Sequence, residues 1–239
     1  MGDPDQTPRG GGQPSSAAPA TEGLSPGQLD VVALITTLGQ HGSVRWHVLE
    51  DDSGTWKEKS VDEEHVERQR AAEALGKLGD DRAVLPLIAA LGDPKHNVRR
   101  AAATALGLLG DHRAVQPLVH VFGAGVKDSS REGYAALEAM AKALGLLGDR
   151  RACGVLLRYL QDFPSQPNWS WRGIYIAVIE ALGTLGDPRA VGPITARLGY
   201  PDHVGEAAAA ALRKIEEARG RNSLGSRLAN SIRGVVGRR

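Results

Sequence analysis

LGDPKHNVRRAAATALGLLGDHRAVQPLV, residues 91–119, holds two helix-like patterns separated by a Gly-Asp stop. Its core, ALGLLGD at 105–111, returns as ALGKLGD at 74–80, ALGLLGD at 143–149 and ALGTLGD at 181–187. The copies begin at 74, 105, 143 and 181, so they are spaced by 31, 38 and 38 residues. Spacings of that size mark stacked helical repeats, in which each unit buries its apolar face on its neighbours. A fifth, degraded copy, ALRKIEE at 211–217, replaces both glycines and the aspartate by Arg213, Glu216 and Glu217, as a terminal cap would.

Within each heptapeptide the Ala and Leu positions recur at helical spacing until Gly-Asp ends the pattern. Gly79, Gly110, Gly148 and Gly186 suit the left-handed position just past a helix, where a side chain would clash. Asp80, Asp111, Asp149 and Asp187 are placed to accept backbone N–H groups of the next element. The inner glycine, at 76, 107, 145 and 183, sits inside the helix at a cost near 1 kcal/mol, which implies close approach of a neighbouring helix. After each aspartate comes RAVLPLIAAL at 82–91 or its equivalent at 113–122, 151–160 and 189–198. Pro86, Pro117 and Pro193 share a column there, which suits a short 3₁₀ turn leading into a second helix. The unit is therefore a helix A ending in ALGxLGD and an antiparallel helix B beginning near RAV. VVALITTLGQ at 31–40 aligns with VLPLIAALGD at 84–93, so a lone helix B precedes the first full unit.

These residues, over about 64–218, resemble the HEAT-like repeats of phycobilisome lyase-type proteins. The resemblance implies an all-α, right-handed α-solenoid of about five helix pairs, with helix B on the concave face. The domain expectation is a disordered tail over 1–26, repeats over 27–219 with insertions at about 40–64, 123–135 and 161–173, and a basic tail over 220–239. The first tail is rich in Pro, Gly and Ser and has no apolar pattern. After Glu217 no acidic residue follows but six arginines do, five of them in the last tail. Its Leu224, Leu228, Ile232, Val235 and Val236 recur at helical spacing, so 223–236 reads as an amphipathic helix that caps the array or meets an anionic surface.

Composition narrows function mainly by exclusion. Net charge is +1, and no basic stripe marks the repeats, so nucleic acid is disfavoured as a partner. A single cysteine allows no intramolecular disulfide or Cys-rich metal site. Cys153 shares its column with Val84, Val115 and Val191 and reads as core. Some relatives of this repeat are di-iron hydroxylases with adjacent His-Glu pairs, yet none of the seven histidines here precedes a Glu. HExxH, GxSxG, GxxxxGK[ST] and GxGxxG are all missing. No catalytic residue, metal ligand or cofactor is expected, and the absence of an apolar leader or 20-residue span points to a cytoplasmic chain.

What varies is more informative. On helix B, the columns containing His120, Arg158, Tyr159 and Arg197 change freely between apolar columns that do not. Every tryptophan, Trp46, Trp56, Trp169 and Trp171, falls in an insertion. Segment 43–61 also contains a candidate hairpin turn at 51–54. These eight residues form the expected contact surface for a protein or peptide, making the chain a non-catalytic scaffold. The resemblance also leaves open a bilin lyase-like chromophore lyase or chaperone subunit.

Overall fold

The structure, a computed structural model, describes residues 26–39, 61–125, 130–162, 172–200 and 203–218. Every regular element among them is helical. Ten α-helices follow one another: α1 (Pro26–Leu38), α2 (Val61–Leu78), α3 (Val84–Ala90), α4 (His96–Leu109), α5 (Val115–Ala124), α6 (Arg131–Leu147), α7 (Cys153–Asp162), α8 (Arg172–Leu185), α9 (Val191–Thr195) and α10 (His203–Ala218). They stack in two layers as five pairs. Even-numbered helices pack on one another in succession, and each odd-numbered helix packs on the even-numbered helix that follows it. Helix α1 takes the expected place of a lone helix B, lying against α2 and α3.

The heptapeptide explains both the stop and the stack. Gly110 closes α4 with φ +70°, and Gly79, Gly148 and Gly186 repeat that left-handed geometry, with the N–H of Gly110 returning to the Leu106 carbonyl. The next aspartate then caps a three-residue 3₁₀ turn. Asp80 Oδ1 accepts the Arg82 N–H at 2.8 Å, and Asp111, Asp149 and Asp187 accept from Arg113, Arg151 and Arg189 at 2.7, 2.9 and 2.9 Å. The same arginine folds its guanidinium back onto the capping carboxylate, at 2.7 Å for Arg82 and 2.6 Å for Arg151, a contact the sequence pattern left unread.

That clamp makes the caps sensitive to acid. Hydrogen bonds from Arg151 and Arg189 hold Asp149 and Asp187 down at about 2, below the ordinary 3.8, and Asp80 and Asp111 are lowered for the same reason. A carboxylate depressed in the fold contributes stability above pH 3.8 that disappears as pH falls through about 2. Chain melting temperature is therefore expected to drop between pH 4 and 2, and the drop should shrink in Asp187→Asn. An unchanged pH profile in that variant would contradict the clamp's contribution.

Inner glycines set the spacing of the even layer. A Cβ built on Gly107 would lie 3.0 Å from the Ala143 Cα, and one on Gly145 would lie 3.0 Å from the Ala181 Cα. On Gly76 and Gly183 the approach to Ala105 and Ala211 is closer still, 2.7 and 2.6 Å. The even helices thus pack backbone to backbone, whereas successive odd helices touch only sparingly. The closely packed layer is thus α2, α4, α6, α8 and α10, whereas the resemblance implied that helix B, the odd layer, lines the concave face.

Between the layers lies one continuous apolar core. Leu75, Leu106, Leu144, Leu182 and Leu212 from the even layer meet Leu87, Leu118, Leu156 and Ile194 from the odd layer, all fully buried. Each such side chain stabilises the fold by about 1.5–3 kcal/mol relative to exposure. One polar tie crosses this apolar interior. Arg68 of α2, 5% exposed, donates from Nε to Oδ2 of Asp93 at 2.8 Å, and Asp93 itself is 1% exposed in the α3–α4 connection.

All three insertions are shorter than the sequence suggests, since α5 runs to Ala124, α7 to Asp162 and α8 begins at Arg172. Residues 61–64 and 131–135, assigned to insertions from sequence, are helical in α2 and α6, so part of each expansion lengthens a helix. Ser130 caps α6 by accepting the Gly133 N–H at 3.1 Å. The tail over 1–25, the hairpin segment before residue 61 and the amphipathic segment 223–236 lie outside the described residues.

Candidate partner-binding site

Trp46, Trp56, Trp169 and Trp171 also lie outside the described residues. The four odd-layer candidates separate into two kinds. His120 on α5 and Arg158 on α7 are exposed. Tyr159 is half-buried, its ring 5.2 Å from that of Phe122, and burial raises its hydroxyl pKa well above the ordinary tyrosine value. Arg197 does not project into open solvent as expected. Its Nε donates to the Tyr175 hydroxyl, its Nη2 donates to the Leu160 carbonyl at 3.1 Å, and its guanidinium lies over the Tyr175 and Tyr200 rings. A cation fixed by two hydrogen bonds and two aromatic faces braces the α7–α9 end of the array.

Cys153 is fully buried, as its valine column implies, and burial pushes its thiol up to about 11. A thiol held protonated and away from solvent is not a nucleophile at neutral pH. Among the described residues no cluster of three His, Cys, Asp or Glu side chains could hold a metal ion. None of the described helices is long and apolar enough to cross a membrane.

The even layer offers a surface of a different kind. Spacing of four residues along each helix sends three side chains outward from the tightly packed layer: Arg100, Thr104 and Leu108 on α4, and Glu138, Lys142 and Leu146 on α6. Leu108 and Leu146 are 62% and 66% exposed. The flanking helices continue the same rows with Glu73 and Lys77 on α2 and Glu180 and Thr184 on α8. Between α4 and α6 these rows enclose a groove of about 380 Å³, with Ala135, Ala139 and Ala143 on its α6 side. Lys142 Nζ donates to Glu138 Oε1 at 2.6 Å within it. The clue was present in the sequence: the variable letter of ALGxLGD reads Lys77, Leu108, Leu146 and Thr184, a column free to change because it points outward.

Sequence families agree with this architecture. HEAT repeats match residues 58–141, and the PBS lyase HEAT-like repeat matches residues 174–200. The chain therefore carries HEAT-like repeats, with a unit of the PBS lyase type over 174–200. Among solved structures, this HEAT-like protein is similar to the complex of CpcE and CpcF of phycocyanin lyase from Nostoc sp. PCC7120. That likeness has a TM-score of 0.59 at 28% identity, covering 92% of this chain and 80% of the matched chain. No curated protein sequence matches it.

Proposed function

We propose that this chain is a binding subunit of the lyase-related HEAT type that holds a protein partner on the even-numbered layer. The observation that carries this reading is the α4–α6 groove, where two large leucines stay in solvent within an otherwise closely packed layer. Exposed apolar area of that kind is favourable when another protein covers it. Similarity to a structure that is itself a two-component complex supports a protein partner. The scaffold role expected from sequence is retained, with its contact surface moved from the odd to the even layer.

Because the similarity spans most of the chain, a second reading is a subunit that assists a chromophore lyase reaction, as the neighbour's name implies for that protein. Mixing the purified chain with a tetrapyrrole and recording the absorbance spectrum separates the two. A shifted band supports the second reading.

The experiment for the first is a pair of surface variants. Leu108→Arg with Leu146→Arg should melt within about 2 °C of the wild type, since both positions are exposed, yet lose at least about tenfold in affinity for the partner recovered with the native chain. His120→Ala with Arg158→Ala should bind that partner as the native chain does. Unimpaired binding by the leucine variant refutes the proposal.

A further inference from the structure

The α4–α6 groove is graded from one end to the other. Arg100 stands at its N-terminal end, and Leu108 and Leu146 stand at its C-terminal end. Eight residues at 1.5 Å rise place about 12 Å between Arg100 and Leu108 along α4. Two cations line the groove, but they are not equivalent. Lys142 is neutralised by Glu138 one turn away on its own helix. Arg100 has no ion-pair partner among the described residues and is exposed. The small side chains of Ala135, Ala139 and Ala143 leave room between the two ridges.

From this arrangement we infer that the groove takes an amphipathic helix of the partner protein, with a carboxylate side chain toward Arg100 and an apolar side chain about two turns away between Leu108 and Leu146. The inference rests on the partner-binding reading above and adds the chemistry of the ligand. A helix suits the site because two parallel ridges over an alanine floor accept a third ridge of side chains, and two turns of helix, about 11 Å, span the distance from charge to apolar pair. Charge selects against the chain's own C-terminal segment. Residues 223–236 carry Arg227 and Arg233 between their apolar positions and no acid, so they would bring like charge to Arg100.

The test uses two fluorescein-labelled, 16-residue helical peptides on an Ala/Gln background, one with Glu and Leu seven positions apart and a twin with Lys in place of Glu. Each is titrated into the full chain by fluorescence anisotropy. Wild type should bind the acidic peptide at least about tenfold more tightly than its twin, Arg100→Glu should invert that preference, and Leu146→Arg should weaken both. All three chains should melt alike, because the substituted side chains are exposed. Equal affinity for the twins, no binding of either, or an unchanged preference in Arg100→Glu overturns the inference. A wild type that sediments as a dimer and that Leu146→Arg converts to monomer also overturns it, since a second copy would then fill the groove. Failure here while the double leucine variant still loses the native partner removes only the ligand class. Retention of that partner by the leucine variant removes the reading beneath it.

Discussion

Replacing Gly183 by Leu is expected to lower stability by about 3 kcal/mol, or roughly 6–12 °C in Tm for a chain of this size. The reason is that the first added carbon would stand 2.6 Å from the Ala211 Cα and 3.3 Å from its carbonyl oxygen. Backbone atoms cannot rotate away, so α8 and α10 must part. Even Gly183→Ala should destabilise, although alanine favours a helix over glycine by about 1 kcal/mol. Gly154 provides the opposite control. It is exposed in α7, with nothing within 4 Å of its would-be Cβ, so Gly154→Ala should stabilise by roughly 0.5–1 kcal/mol. Arg213→Leu, at the same column in the cap, should be nearly neutral, since Arg213 is exposed on the last described helix. Thermal melts that gave Gly183→Ala and Gly154→Ala the same sign would refute close packing as the reason for the inner glycine.

Removal of the Asp93 carboxylate is expected to cost about 3–5 kcal/mol in urea unfolding, because it breaks a buried ion pair at 2.8 Å by deleting one partner. The ion pair spans 25 residues, and Asp93 also accepts the Lys95 N–H at 2.8 Å while its carbonyl accepts from Arg99 at 2.6 Å. Asp93, through its carboxylate and its backbone carbonyl, thereby ties together helix α2, the α3–α4 connection and the first turn of α4. Arg68→Met combined with Asp93→Leu should recover much of the loss, since an apolar pair carries no desolvation penalty. A small effect from Asp93→Ala alone would show that water or a rearranged side chain reaches Arg68.

Much of this architecture was legible in ALGxLGD. The stop glycines, the capping aspartates, the buried Cys153 column and the lone leading helix all follow from local stereochemistry, which a periodic sequence displays directly. The spacing of helices within a layer is not local, and only the contact of Gly107 with Ala143 and its equivalents reveals which layer is tighter. The free columns of the odd layer were therefore the ones the sequence singled out, while Arg100, Leu108 and Leu146 passed as ordinary helix positions. Arg197 was misread for a related reason. Its variable column hides a partner, Tyr175, that lies 22 residues away. The Arg68–Asp93 pair escaped notice because neither residue recurs as a matched pair in the longer connections.

The face of contact can be read in one measurement. A photo-crosslinking amino acid placed singly at Thr104 or Leu146 on the even layer, and at His120 or Arg158 on the odd layer, is irradiated in the native cell. The adducts are then compared by position. Adducts to one and the same protein from 104 and 146, with none from 120 and 158, are the expected result. The reverse pattern would contradict a binding face on the glycine-packed layer.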